Sequence, residues 1–188
     1  TLVPRPETEI LVESALETLR AVAQPRILDA GTGSGCIAVA LACERRDARV
    51  TAIDTSEAAL AVARRNAERH GVAERIEFVR ADLACFAPAA GFDLLVSNPP
   101  YVPRGDIDRL EPEVSRWEPR AALDGGEDGL RLIATLLQRA PALLAPGGGL
   151  AVEIGAGQAD AALALARAAG FAAARVRPDY AGIARVLL

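Results

Sequence analysis

The chain has 188 residues, of which 51% are apolar and 24% charged, with a formal net charge of −4. That is enough for one domain with a substantial core. The Arg residues are interspersed with acids and form no basic stripe of the kind that tracks a phosphate backbone, so a stable nucleic-acid partner is not expected.

No apolar run reaches membrane-spanning length and no signal-peptide pattern occurs, so we expect a soluble, monomeric protein of a reducing compartment, best matched by the bacterial cytoplasm. All 21 basic residues are Arg, which together with the abundance of Ala reads as codon bias. Met is absent, and an opening of Thr1-Leu2-Val3-Pro4 reads as a processed product or a fragment of a longer protein. Cys36, Cys43 and Cys85 are odd in number and show no metal-ligand spacing, so buried, reduced thiols and no metal are expected.

In chain order, the periodicity predicts a helix over about Glu7 to Ala23 and a strand over Arg26 to Ala30. A helix over Cys36 to Arg45 and a strand over Arg49 to Ile53 come next, then a helix over Ser56 to His70 and strands over Arg75 to Arg80 and Phe92 to Ser97. A helix over Asp128 to Leu144, a strand over Gly149 to Ile154 and a helix over Gln158 to Ala169 follow. Gly71, Pro146 and Gly170 stand where helices should stop. Two final runs, Ala172 to Arg177 and Ile183 to Leu188, are separated only by Pro178 to Gly182, too short for a crossover helix. The last strand should therefore return antiparallel. The fold class expected is α/β, with a seven-stranded, mostly parallel sheet and one reversed strand.

The stretch Val102 to Glu127 is far longer than an ordinary strand-to-helix link and carries Pro103, Pro112 and Pro119, so it reads as a lid or substrate-binding segment. Trp117 within it reads either as a shaper of a peptide mouth or as an anchor on the core. His70, just before Gly71, reads as a helix-end residue, and Tyr180 as a packing residue.

Asn98-Pro99-Pro100-Tyr101 closes an apolar strand and is the most informative segment. A stiff Pro-Pro pair holds the Asn98 side-chain oxygen and the Pro99 carbonyl as two fixed acceptors, with the Tyr101 ring beside them. That arrangement suits a planar NH2 group. Two acceptors take its protons, the ring covers its flat face, and the nitrogen lone pair is left to face an electrophile. The chemistry implied is substitution at an amide or base nitrogen.

Ile27 to Gly35 runs a strand into a Gly31-Thr32-Gly33-Ser34-Gly35 turn that opens a helix. Its G-x-G-x-G spacing differs from the G-x-G-x-x-G that seats a pyrophosphate, because Cys36 takes the third glycine's place. It suits a ligand whose ribose and amino-acid portion lie along the turn, as S-adenosylmethionine would. Asp54, 19 residues beyond Gly35, is placed for ribose hydroxyls. Asp82 and Leu83 after the third strand are placed to flank an adenine. Each acid taken singly also reads as a cap, and the set at three strand ends carries the argument. Asp29 either satisfies turn amides or meets a ligand's ammonium group, and both readings stay open.

With these motifs, the chain resembles the catalytic domain of the bacterial release-factor glutamine methyltransferases. The resemblance rests on Pro4-Arg5-Pro6-Glu7-Thr8-Glu9, on Leu28 through Gly35, and on Val96 through Tyr101. It continues in Glu118-Pro119-Arg120-Ala121-Ala122-Leu123, which runs into Gly125 through Leu130. It implies a Rossmann-like class I fold that uses S-adenosylmethionine and yields S-adenosylhomocysteine. It implies cofactor contacts at Gly31, Thr32, Gly33, Ser34, Gly35, Asp54, Asp82, Leu83 and Asn98, with Leu83 standing where some members have an aromatic residue. Asn98, Pro99, Pro100 and Tyr101 would hold the glutamine amide of the Gly-Gly-Gln motif of peptide release factors, the implied protein partner. The family's small helical N-terminal domain has no counterpart in residues 1–188, which read as the catalytic domain alone. Only this likeness brings Arg5, Glu7 and Glu9 to the border of the cofactor pocket. A nucleic-acid adenine or guanine amino-methyltransferase is the main alternative, since NPPY also suits a flipped base. An inactive cofactor-binding module is a second.

Overall fold

The computed structural model describes residues 5–188. The reading of a trimmed N-terminus, and Pro4 of the opening motif, lie outside those residues. Helix α1 (Thr8–Thr18) leads into β1 (Arg26–Ala30), then α2 (Cys36–Glu44), β2 (Arg49–Asp54), α3 (Glu57–Arg69) and β3 (Ile76–Arg80). Strand β4 (Phe92–Ser97), the short α4 (Pro112–Ser115), α5 (Arg131–Leu143), β5 (Leu144–Glu153), α6 (Ala159–Ala168), β6 (Val176–Pro178) and β7 (Ala184–Leu187) complete the order.

Strand side chains alternate between two faces, and the burial follows that period. Ile27, Leu94 and Val96 pack with α1 and α2 residues such as Leu11 and Leu41 in one cluster. Leu28, Leu95 and Val152 pack on the other face with Ile133 and Leu137 of α5 and Ala162 of α6. Both faces of the sheet are thus covered by helices, as a parallel sheet requires.

The sheet order is β3-β2-β1-β4-β5-β7-β6, with β7 antiparallel to both of its neighbours. Seven strands with the last one reversed match the expectation. The insertion of β7 between β5 and β6 was not foreseen. Several boundaries also moved. Helix α1 stops at Thr18, well short of Ala23, where the Ser14 and Thr18 hydroxyls bond back to the carbonyls of Ile10 and Ser14. The carbonyls beyond it, on Leu19 and Val22, are taken by the Arg45 guanidinium at 2.7 Å each. Strand β5 begins five residues earlier than Gly149, at Leu144, because Leu144 pairs with Phe92 across a bulge that carries the exposed Pro146 and Gly147. Pro146 therefore lies in that bulge, and α5 ends just before it at Leu143. Strand β6 shrinks to three residues, since Ala172 to Ala174 form a turn.

The cysteines depart from expectation as well. All three are free thiols, but Cys43 and Cys85 are exposed and only Cys36 is partly covered. Tyr180 does not pack in the core: it is exposed, with its hydroxyl donating to Glu13. His70 does occupy the C-cap of α3, followed by Gly71 at φ +67°.

Candidate active site

Strands β1 to β3 are laid down in one direction across the sheet, and β4 and β5 in the other, so the chain switches direction between β1 and β4. Ligands of such sheets bind in the crevice at that switch, beyond the carboxyl ends of the strands. Asp29 of β1 is paired in register with Val96 of β4. Two residues further along each strand stand Gly31 and Asn98, so the glycine turn and the NPPY corner begin level with each other on adjacent strands. The Ser97 hydroxyl donates to the Ala30 carbonyl at 2.6 Å and stitches the two exits together.

The turn is held from β2. The amides of Gly31 and Thr32 donate to the Ile53 carbonyl at 2.9 and 3.0 Å, and the Gly33 amide to Asp54 Oδ2 at 2.9 Å. Gly31, Gly33 and Gly35 all have positive φ, but for different ends. A Cβ on Gly31 would meet nothing within 4 Å, so that backbone faces open space. A Cβ on Gly35 would lie 2.8 Å from the Ala63 Cβ, so that glycine lets α2 start against α3. Gly31 and Gly33 thus leave the face of the turn clear, while Gly35 is taken up in packing the two helices. Ser34 uses its carbonyl to accept from Asn66 Nδ2 at 2.8 Å.

Asp29 is fully buried. It does not satisfy turn amides, which β2 already holds. Its Oδ2 accepts the Thr32 hydroxyl at 2.6 Å, and its Oδ1 accepts from no described side chain. Burial pushes its pKa up to about 6, against the opposing pull of the Thr32 hydroxyl. Asp54 accepts the Gly33 amide on one oxygen and the Ser56 amide at 2.8 Å on the other, and each oxygen keeps a second lone pair. Asp82 follows the edge strand β3. Its Oδ1 caps the Ala84 amide at 2.9 Å, which is the duller of its two readings, while the half-buried Leu83 packs on the α5 side of the sheet.

The NPPY corner is built by residues remote in sequence. Thr8, at the start of α1, donates its hydroxyl to Glu153 Oε2 at 2.9 Å, and Asn98 Nδ2 donates to that same hydroxyl oxygen at 3.2 Å. The Tyr101 hydroxyl donates to Glu153 Oε1 at 3.3 Å. Glu153 ends β5 and is 1% exposed. Burial raises its pKa, and the bonds from Thr8 and Tyr101 and the charge of Arg185 oppose that shift. The Tyr101 phenol is pushed up to about 12, by burial first and by the Glu153 charge second, so it remains a proton donor at neutral pH. Pro99 is buried and Asn98, Pro100 and Tyr101 are half-buried. With Nδ2 committed to Thr8, Asn98 Oδ1 stays open to an incoming donor, and among the described residues the Pro99 carbonyl accepts no hydrogen bond. The corner thus presents two acceptors.

Gln158, just ahead of α6, braces the corner from behind, donating to the Tyr101 carbonyl at 2.9 Å while accepting the Gly155 amide at 2.8 Å. Gly129 fits against the Tyr101 carbonyl and the Gln158 amide with no room for a Cβ. The long segment between Val102 and Glu127 folds into short helical turns and rejoins the corner through a bridge between Val102 and Asp124. Arg5 and Glu118 form an ion pair at 2.9 Å, with Glu118 nearly buried, so the opening motif and the E-P-x-x-A-L segment meet in space. Trp117 beside it is 83% exposed and does not anchor the loop. Glu7 and Glu9 sit at the N-cap and in the first turn of α1.

Sequence reasoning missed Thr8, Glu153 and Gln158 as individual members of the site. Glu153 had a signal, since it is an acid at the carboxyl end of a strand, as Asp54 is. Thr8 lay inside the opening motif but had no signal that singled it out there, and Gln158 had none, because polar residues at a helix start are ordinary.

A family model described as Methyltransferase small domain matches residues 7–110. The chain is 47% identical over 188 residues to the release factor glutamine methyltransferase of Geobacter sulfurreducens, covering 99% of this chain and 64% of that protein. It is 49% identical to the enzyme of the same name from Rhodospirillum rubrum, covering 100% of this chain and 57% of that protein. The chain therefore spans roughly three-fifths of the curated relatives it matches. Among solved structures, a protein-(glutamine-N5) methyltransferase (release factor-specific) from Alicyclobacillus acidocaldarius superposes with a TM-score of 0.60 at 31% identity, covering 98% of this chain and 91% of that one. The chain belongs to the methyltransferase small domain family and to the release factor glutamine methyltransferases.

Proposed function

We propose that the chain transfers a methyl group from S-adenosylmethionine to the side-chain amide nitrogen of the glutamine in the Gly-Gly-Gln motif of peptide release factors. The observation that carries this reading is the committed orientation of Asn98. Its Nδ2 is spent on Thr8, so Oδ1 and the Pro99 carbonyl are left as a pair of acceptors matched to the two N–H bonds of a carboxamide.

The cofactor reading assigns Gly31, Thr32, Gly33, Ser34 and Gly35 to the ligand's length, Asp54 to its ribose, Asp82 and Leu83 to its adenine, and Asn98 to its reacting end. The fit is favourable at two places. Gly31 faces open space, as a cradle must, and the unmatched Oδ1 of Asp29 suits an ammonium group. When bound, S-adenosylmethionine supplies an electrophilic methyl carbon on a positively charged sulfur.

A carboxamide nitrogen is a weak nucleophile because its lone pair is shared with the carbonyl. Asn98 Oδ1 and the Pro99 carbonyl draw on its two N–H bonds, which raises electron density on nitrogen and fixes the direction of the lone pair. Tyr101, held by Glu153 and by the Gln158 brace, walls the same corner. Pro99 and Pro100 prevent the acceptors from swinging away. Orientation and electrostatics do the work, with no covalent intermediate. The spare proton leaves to water after transfer.

The test is methyl transfer from labelled S-adenosylmethionine to a release factor, to the same factor with its motif glutamine changed to alanine, and to DNA and RNA. Labelling of the first alone is expected. Labelling of a nucleic acid in its place would make this an amino-methyltransferase of bases. Binding of S-adenosylmethionine with no transfer to any of them would make it a cofactor-binding module.

A further inference from the structure

We infer that Thr8 and Glu153 are positioning residues that decide which end of the Asn98 carboxamide faces the substrate, and so select a side chain ending in NH2 over one ending in a carboxylate. The inference rests on the amide-transfer reading and adds to it the origin of its selectivity.

A carboxamide is nearly symmetric in shape. Rotating it by half a turn exchanges an acceptor for a donor at almost no steric cost, so packing alone does not set its direction. The hydrogen-bond chain behind it does. An ionised carboxylate only accepts, so the bond at 2.9 Å between Thr8 Oγ1 and Glu153 Oε2 uses the single hydroxyl proton of Thr8. The Thr8 oxygen then has only lone pairs to offer, and at 3.2 Å it takes the NH2 end of Asn98. The second carboxylate oxygen accepts the Tyr101 hydroxyl at 3.3 Å, so a hydroxyl donor stands at each oxygen of Glu153 and holds it in its accepting role. Burial of Thr8, at 6% exposed, and of Glu153 shuts out water that would scramble this polarity. The three residues come from α1, the position just after β4 and the end of β5, and Thr8 stands 90 and 145 positions from its two partners.

The consequence is a site of defined sign. With Oδ1 and the Pro99 carbonyl outward, the corner offers two acceptors. A glutamine amide satisfies both, whereas a glutamate of the same shape presents lone pairs and negative charge to them and is repelled. With Asn98 free to turn, the corner would offer one donor and one acceptor, and that discrimination would fade.

The experiment uses the full chain with a release factor as substrate and, as competitor, the same factor carrying glutamate in place of the motif glutamine. Thr8→Val removes the hydroxyl and keeps the shape. It is expected to slow transfer by about 10- to 100-fold and to narrow the binding preference for glutamine over glutamate about tenfold. S-adenosylmethionine affinity should stay within about threefold and the melting temperature within a few degrees. Thr8→Ser should return most of both the rate and the preference. Thr8→Ala makes the same test if Thr8→Val does not fold. Wild-type transfer and preference in the hydroxyl-less variants would overturn the inference, as would a Thr8→Ser variant as impaired as Thr8→Val. Failure of the wild-type chain to methylate the release factor would instead strike the functional reading itself.

Discussion

The two lips of the crevice are built by different means. On the β1–β2 side, the glycine turn is fixed through its backbone amides, which donate to the Ile53 carbonyl and the Asp54 carboxylate, and conformations open to glycine do the rest. On the β4–β5 side, the corner is fixed by buried side chains drawn from α1, β5 and the start of α6. A lip made of main chain has a generic shape that can hold an invariant cofactor, while a lip made of side-chain polarity can be tuned to one substrate group. The contrast also separates what each lip should lose when it is broken.

The largest effect falls on the side-chain lip. Asn98→Ala should reduce transfer by about 100-fold or more while cofactor affinity stays within about tenfold, as single-turnover kinetics beside a calorimetric titration would show. Equal loss of both would mean that the lips do not divide the work. The main-chain lip should respond in stability first. Gly35→Ala forces a Cβ against Ala63 in a left-handed conformation and should lower stability by about 2–4 kcal/mol in denaturant unfolding. Gly31→Ala, with open space around it, should cost about 1–2 kcal/mol and weaken cofactor binding instead.

Asp29 gives a smaller, pH-dependent signature. Its pKa is about 6 when folded against an ordinary 3.8, so between those values the native state binds more protons than the unfolded one. Its contribution to stability is therefore greatest at low pH and falls as pH rises through about 4 to 6, by on the order of 2 kcal/mol. Asp29→Asn, which keeps an acceptor for the Thr32 hydroxyl, should flatten that slope in urea melts taken across the range. Smallest of all, Trp117→Ala should change stability by no more than about 0.5 kcal/mol, since the ring is 83% exposed. A larger drop would show that the loop leans on it after all.

What was readable in the sequence divides along the same line. Strands β1 to β4 lie within a residue of their expected bounds, because Val, Ile and Leu runs closed by turn residues carry a local signal. Ala172 to Ala174 misled, since alanine is apolar without favouring a strand. Leu144 to Gly148 misled in the opposite sense, since only its partner Phe92 makes that glycine-rich stretch part of β5. The glycine turn and NPPY were legible for the same local reason. Gly35 was assigned to a ligand, and that it also lets α2 start against Ala63 of α3 becomes visible only once those helices are packed. The Asn98–Thr8–Glu153 chain links residues whose separation exceeds any pattern a window along the sequence can detect.

The sheet order carries a consequence for folding. Strand β5 is bordered by β4 on one side and by β7 on the other, with Glu153 opposite Val186. Among the described elements β7 is the last in the chain, so until it pairs, the strand bearing Glu153 keeps an open edge. The residue inferred to polarise the corner therefore stands on a strand whose second border is the last to be supplied.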